Sequence, residues 1–391
     1  MEDTMRISEK RTVVFVGGGH AHLYSLKRTG QLIKAGAKVV LIGPNRYHYY
    51  SGMGPGMLSR IYEPRQVRVD IQTMVETRGG TFIQAKVMSV KPKDKILTLH
   101  TGAEIRYDFA SFNIGSYVPL DSVPGAEREA YPVKPIEKME EVRADILRRI
   151  QFGIPNILVI GAGPAGVELS GNIWRLVHAH GGRASIILAG PHDTVLPKHS
   201  EKLQLLAKNS LEKRNVTIIS RFRVVEMKNG KAYSSSGNSI DYDIAIMTIG
   251  IRPKSVFENS GLKTSARGAL VVNDYLQSPT NPEIFGGGDC IDMQERNLDL
   301  VGVYAVRESP IIFHNLMAGL RGTSLKKFVP QRRYLLIFNL GDGTGLVARR
   351  PLAFKARWAF ALKDYIDRRF MAAYQVSGET RHDNGGQHEI H

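Results

Sequence analysis

Two glycine-punctuated segments, far apart in the chain, limit what it can fold into. Residues 157–169 read ILVIGAGPAGVEL, in which an apolar run enters Gly161, Gly163 and Gly166 in a GxGxxG array. A helical pattern continues through SGNIWRLVHAHGG, and a second apolar strand, RASIILAG, follows. A strand, a turn with no side chains and a helix N-terminus make a β-α-β unit whose backbone N–H groups can approach a pyrophosphate. Residues 12–19, TVVFVGGG, open a similar unit, with HAHLYSLKRTGQLIKAG as its helix and KVVLIG as its second strand. Here Gly17 and Gly19 take the first two positions, but His22 stands where a small residue usually lets helix and strand pack closely. The strand ends in Gly43, Pro44 and Asn45, without an acid to hold a ribose diol. Taken alone, this segment fits a dinucleotide turn or an ordinary α/β turn.

Short segments between the units support two cofactors. FNIGS at 112–116 and IMTIGIRP at 246–253 are apolar strands ending near Gly115 and Gly250. The proline-rich stretch 118–135 between the units reads as a domain boundary. A third cluster, NPEIFGGGDCID at 281–292, carries Asp289 after a tight turn and, by expectation, just ahead of a helix. A carboxylate there can accept from a ribityl or ribose hydroxyl while backbone N–H groups face a phosphate. The expected fold is α/β, with two dinucleotide-binding Rossmann-like domains and a C-terminal α+β region.

Composition narrows the chemistry. The chain has one cysteine, Cys290, which excludes an intrachain disulfide or CxxC pair, so electrons must travel on a bound cofactor. No run reaches the roughly 18–20 apolar residues that cross a bilayer, and MEDTMRISEKRT lacks the apolar block of a secretory signal. A cytoplasmic protein, free or resting on a membrane face, is expected. The net charge of +16 comes with no zinc-finger spacing and no aromatic-rich RNA-binding pattern, so no nucleic-acid partner is expected. His20 and His22 lie two apart, off a common helical face and without an HExxH array, and no metal site is expected.

The order of these segments resembles the two-dinucleotide-binding-domain flavoproteins, in particular the type II NADH dehydrogenase-like branch. Within it the chain is most similar to the NADH dehydrogenase-like domains fused to selenophosphate synthetases. The likeness rests on VVFVGGGHAHL, VVLIGPNRYHYYSGMGPGML, FNIGS, ILVIGAGPAGVELSG, IGIRP, IFGGGDC and GVYAVRESP, then PQRRYLLIFNLGDGTGL and KDYIDRRFM. It implies a glutathione-reductase-like architecture with an FAD-binding domain at 10–120 and 265–325, an NAD(P)H-binding domain at 121–264, a C-terminal region at 326–375 and a loose tail at 376–391. It further implies Gly17 and Gly19 at the FAD pyrophosphate and Asp289 at the ribityl and phosphate region, with His20, Ala21 and Gly115 also cofactor-binding. Gly161, Gly163, Pro164, Gly166 and Gly250 would hold the nicotinamide dinucleotide, with Glu168 where nicotinamide and isoalloxazine meet. NADH is the implied donor and NADPH the alternative, since RASIILAGPHD has neither a terminal acid nor an immediate arginine.

The activity implied is hydride transfer from NAD(P)H to flavin N5, then electron delivery to a quinone or another small acceptor. His48 and Tyr50, from RYHYYSGM, are candidate flavin neighbours or proton donors beside Glu168. GVYAVRESP, with Gly302, Val303, Arg307, Glu308 and Ser309, aligns with a segment that carries quinone-facing glutamines in NADH dehydrogenases, and those glutamines are missing. Residues 321–374 hold twelve Lys/Arg against three Asp, and Phe354, Trp358, Leu362, Ile366 and Phe370 recur every fourth residue. That spacing predicts a basic amphipathic helix that rests on an anionic membrane surface or docks on the protein core or a second subunit. Two other readings stay open: a soluble reductase with a non-quinone acceptor, and a non-catalytic FAD or nucleotide-binding module.

Overall fold

The apolar β-branched runs form the centres of two parallel sheets. In the computed structural model, which describes residues 10–379 except Asn297, Arg332, Arg350 and Pro351, the first sheet has five strands. Their order is Ile284–Gly286, Phe109–Phe112, Arg11–Val16, Ala37–Gly43 and Thr81–Gln84, all parallel. Val13, Val14 and Phe15 are fully buried, as expected for strands covered on both faces. The second sheet repeats the plan in the order Ala130–Pro132, Ile244–Met247, Asn156–Ile160, Ser185–Ala189 and Val216–Ile219. Each domain carries a three-stranded antiparallel meander, 87–106 in the first and 224–241 in the second. The architecture is two Rossmann-like lobes and a smaller β/α region, the glutathione-reductase-like fold.

Three local expectations differ from the structure. The predicted first helix is two short ones, His20–Leu26 and Thr29–Lys34, separated at Arg28, whose backbone leaves helical geometry. Asp289 lies in a single 3-10 turn, Gly288–Cys290, and a strand, Ile291–Met293, follows in place of the expected helix. The next helix is Gly302–Arg321, which packs on His20–Leu26. Phe354 is not on the C-terminal helix. It belongs to the strand Leu352–Ala356, and the helix Arg357–Tyr374 begins after the extended Ala356. Arg332 and Arg350 of the basic stretch, and the tail from residue 380, lie outside the described residues.

The C-terminal antiparallel sheet, Leu336–Asn339, Gly345–Arg349 and Leu352–Ala356, is held against the helix Pro164–Ala179 by backbone proximity. A Cβ on Gly171 would lie 2.2 Å from the Leu340 carbonyl oxygen, and one on Gly341, whose φ is +77°, would lie 2.2 Å from that of Gly171. Beside this contact Asn172 is fully buried with its amide saturated. Its Oδ1 accepts from Ser59 Oγ at 2.7 Å and Asn339 Nδ2 at 3.3 Å, while its Nδ2 donates to the Glu168 carbonyl at 2.7 Å and the Asn339 carbonyl at 3.1 Å. Leucine at this position would leave these groups unsatisfied, each costing about 1–3 kcal/mol. Asn172→Leu is expected to lower the urea midpoint of unfolding by an amount equivalent to roughly 2–4 kcal/mol.

Candidate functional site

Both glycine turns open into one cavity of about 2550 Å³. Pockets for a single small ligand run roughly 300–1,000 Å³, so this space suits two dinucleotides end to end. At the second turn Gly161 has φ +115°, and its N–H donates to the Ala189 carbonyl at 2.8 Å. Gly163 caps the helix with Pro164 at its first position, and a Cβ there would meet nothing within 4 Å, so this backbone faces open cavity. Gly166 does the opposite: its Cβ would fall 1.8 Å from the Gly161 carbonyl oxygen. Its role is close packing of helix on turn.

The first turn solves the same problem differently. Gly17 has φ +83°, and a Cβ there would sit 2.4 Å from the Asn113 carbonyl oxygen. His22, at the position matching Gly166, is fully buried and contacts the matching carbonyl: its Nδ1 lies 2.6 Å from Gly17 O and its Nε2 2.8 Å from Ser111 Oγ. A carbonyl only accepts, so Nδ1 carries the proton and Nε2 accepts from the serine. Burial lowers the His22 pKa to about 4, against the raising effect of the Gly17 contact, and keeps the ring neutral. The histidine thus replaces close packing with a hydrogen-bonded tether. Ala21 is buried, its N–H donating to Asn113 Oδ1 at 3.0 Å, and it does not line the cavity.

Gly115, Gly250 and Asp289 all line the cavity. Asp289 accepts from Ser116 Oγ at 2.8 Å and pairs with Lys134 Nζ at 2.6 Å. Burial works against its ionised form, but Lys134 and Ser116 prevail and hold the carboxyl below the usual range. Where the second strand lacks its acid, Asn45 donates to Glu137 Oε1 at 3.0 Å, and both residues line the cavity. Glu137 brings a carboxylate to this strand end from a segment nearly a hundred positions away. Nothing local in the sequence signals that approach.

A compact polar group adjoins the first turn. His20, at the helix start, has its Nδ1 3.3 Å from His48 Nε2, while its own Nε2 is buried without a hydrogen-bond partner among the described residues. Burial, reinforced by Lys134, lowers the His20 pKa to about 4, and burial with His20 lowers that of His48 well below its ordinary value. His20 and His48 line the cavity and Tyr50 does not: its hydroxyl donates to Asp367 Oδ1 at 3.0 Å. Asp367 also pairs with Lys363, which donates to the Gly52 carbonyl at 2.8 Å. Lys363, Asp367 and Phe370, the last stacked on His20, come from the C-terminal helix. The apolar stripe, which includes Phe370, and the allowance for docking on the core anticipate that contact, but nothing in the pattern singles out Lys363 and Asp367.

Glu168 lines the cavity, one turn into the second fingerprint helix, and accepts from the Asn339 N–H at 2.6 Å. Burial raises its pKa to about 7, against the opposing pull of Lys363 and the Asn339 N–H. This cavity-lining carboxyl is thereby poised near neutrality. Of GVYAVRESP, Gly302 and Ala305 line the cavity, Arg307 is exposed, and Glu308 is buried behind the third glycine cluster.

The family model of the pyridine nucleotide-disulphide oxidoreductases matches residues 11–308. The chain belongs to that family. These enzymes are FAD- and NAD(P)H-dependent oxidoreductases. The chain is 24% identical over 364 residues to the alternative NAD(P)H-ubiquinone oxidoreductase C1 of Arabidopsis thaliana, covering 82% of this chain and 70% of that protein. Among solved structures, NDH2 of Plasmodium falciparum in complex with NADH superposes with a TM-score of 0.79 at 14% identity, covering 95% of this chain and 99% of that one. The sulfide:quinone oxidoreductase of Aquifex aeolicus gives 0.77 at 18%, covering 94% and 92%.

As a pyridine nucleotide-disulphide oxidoreductase, the chain departs from the family name in its sulfur chemistry. Cys290 is fully buried, its Sγ 3.3 Å from the Gly287 carbonyl, and burial pushes its thiol up to about 12. A disulphide relay within the chain is excluded. The buried Glu308 accepts from Gly288 N–H at 2.6 Å, and burial, despite that bond, raises its pKa to about 7. A carboxyl with a raised folded pKa contributes stability that is complete below its unfolded pKa and lost as pH rises through 7. Glu308→Gln should therefore melt near the parent at about pH 5 and above it at about pH 8. The gap should approach roughly 3 kcal/mol in thermal unfolding across that range.

Proposed function

We propose that the protein is an NAD(P)H:quinone oxidoreductase carrying FAD in the first domain and the nicotinamide dinucleotide in the second. The observation that carries this reading is the single cavity joining the Gly17–Gly19 turn to the Gly161–Gly163 turn, with Glu168 on its wall. Bound FAD would take hydride from the nicotinamide and pass electrons to the acceptor. The residues present fit both groups: His20 offers FAD a buried ring nitrogen beside the first turn, without a hydrogen-bond partner among the described residues, and Gly163 offers the nicotinamide dinucleotide unobstructed backbone at the second. Asp289, Lys134 and Ser116 would hold FAD midway along its length, and Asn45 with Glu137 would meet its ribose in place of the missing strand-end acid. Within the family we place the chain nearest the dehydrogenase-like domains fused to selenophosphate synthetases, on the GHAH turn and the late segments.

This chain's own residues have defined tasks in that reading. Glu168, brought near neutrality by burial, can take up or release a proton at neutral pH, and Lys363 with Asp367 sets the local charge around it. The acceptor's path is supported by the C-terminal unit. Leu352 lines the cavity and is 57% exposed, and the adjacent helix exposes Trp358, Leu362, Tyr365 and Ile366 with Arg357 and Arg369. Among the described residues no helix is long and apolar enough to cross a membrane. An apolar edge flanked by arginines suits peripheral docking on an anionic, cytoplasmic membrane face, from which a lipid-soluble quinone would enter. Binding to anionic vesicles that weakens in salt and after Trp358→Ser supports this docking. Self-association through the same stripe, seen in sedimentation, would instead assign it to a second subunit.

Anaerobic stopped-flow absorbance tests the whole reading. The purified protein is expected to lose its flavin colour with a reduced nicotinamide and regain it with a short-chain quinone. Loss without recovery points to the second reading, a non-quinone acceptor, which the poverty of polar groups on the cavity side of Gly302–Arg321 favours. No loss of colour would leave a non-catalytic binding module. Glu168→Gln should slow quinone-dependent turnover by roughly tenfold or more and remove a limb near pH 7 from its pH profile.

A further inference from the structure

We infer that the nicotinamide site is built for a dinucleotide with a phosphate on its adenosine ribose, NADPH, in preference to NADH. The inference rests on the second domain's reading as a nicotinamide site and reverses the donor implied by family resemblance.

In a β-α-β unit the adenosine ribose lies over the end of the second strand. An acid there accepts from the two hydroxyls of NADH, whereas a basic group receives the phosphate of NADPH. The strand Ser185–Ala189 ends in buried, apolar Leu188 and Ala189. At Gly190 a Cβ would meet that of Ala162 at 2.7 Å, so no acidic side chain stands at the strand end. The carboxylate of the loop that follows, Asp193, is exposed, is ion-paired to Arg221 and does not line the cavity.

The cavity wall at this end is instead cationic. His192, Lys198 and Arg223 all line it. The turn carrying Arg223 is fixed beside the strand end, with Arg221 N–H donating to the His192 carbonyl at 3.0 Å and Phe222 N–H to the Gly190 carbonyl at 2.8 Å. Among the described residues neither Lys198 nor Arg223 has a side-chain hydrogen bond or ion pair, in contrast to Arg221 next door. Two uncommitted cations and a histidine, with the nearby acid already neutralised, leave a positive field where the two nucleotides differ. A phosphate there gains charge-assisted hydrogen bonds, for which the guanidinium fork of Arg223 is suited.

Titration calorimetry of the FAD-loaded protein with 2',5'-ADP and 5'-AMP isolates this contact, because neither ligand carries a nicotinamide. Binding of 2',5'-ADP is expected to be roughly tenfold or more tighter, and the difference should shrink as salt is raised. Arg223→Ala should remove most of that difference and leave 5'-AMP binding unchanged, with Lys198→Ala acting in the same direction. Equal binding of the two ligands by the parent protein, or an equal loss for both in Arg223→Ala, would overturn the inference. Failure of electron transfer would leave the binding difference intact. Failure to bind either nucleotide would remove both this inference and the reading beneath it.

Discussion

The two domains and the C-terminal sheet meet at Asn172. It lies on the second fingerprint helix, yet its amide also bonds Ser59 of the first domain and Asn339 of the C-terminal sheet. Three units share one buried, saturated group, where a missing partner costs more than the bond itself returns. The backbone contact between Gly171 and Gly341 brings the sheet close enough for this. The same approach puts the Asn339 N–H on Glu168, so the joint that holds the domains also tempers the rise that burial imposes on the cavity carboxyl.

The two fingerprints show one geometric requirement met by two kinds of interaction. Helix and turn must be tied at the third position, and Gly166 achieves this by having no side chain where its partner carbonyl stands. His22 achieves it with a neutral ring bridging Gly17 and Ser111. The tether needs Ser111 on the neighbouring strand, a residue that a fingerprint pattern does not inspect. A non-glycine at this position therefore marks a different fastening, and the turn itself keeps its shape.

Much of the architecture was legible because it depends on local physics. Apolar runs ending at Gly17 and Gly161 determine strand, turn and helix within a few residues, and their repetition gives two parallel sheets. The helix breaks and the strand assignment of Phe354 were less visible, since a four-residue apolar spacing continues across Ala356 whether or not the backbone is helical. Least legible were residues that act across the chain. Glu137 reaches Asn45, Lys134 reaches Asp289, and Lys363 and Asp367 face Glu168 and Tyr50 from the far end. The C-terminal helix carries two messages on its faces, and its apolar periodicity, apart from Phe370, reports only the outward one.

The return of Ile284–Gly286 to the edge of the first sheet bears on how the chain is made. Strands 130–247 form a contiguous sheet, complete once that stretch has left the ribosome. The first sheet must wait for its edge strand, and the helix His20–Leu26 must wait for Gly302–Arg321 to cover it. The earliest-synthesised sheet is thus completed only after the whole of the second sheet has been made. During that interval its apolar strand edge and helix face are exposed, so the N-terminal third of the chain is where a growing polypeptide most needs protection from aggregation.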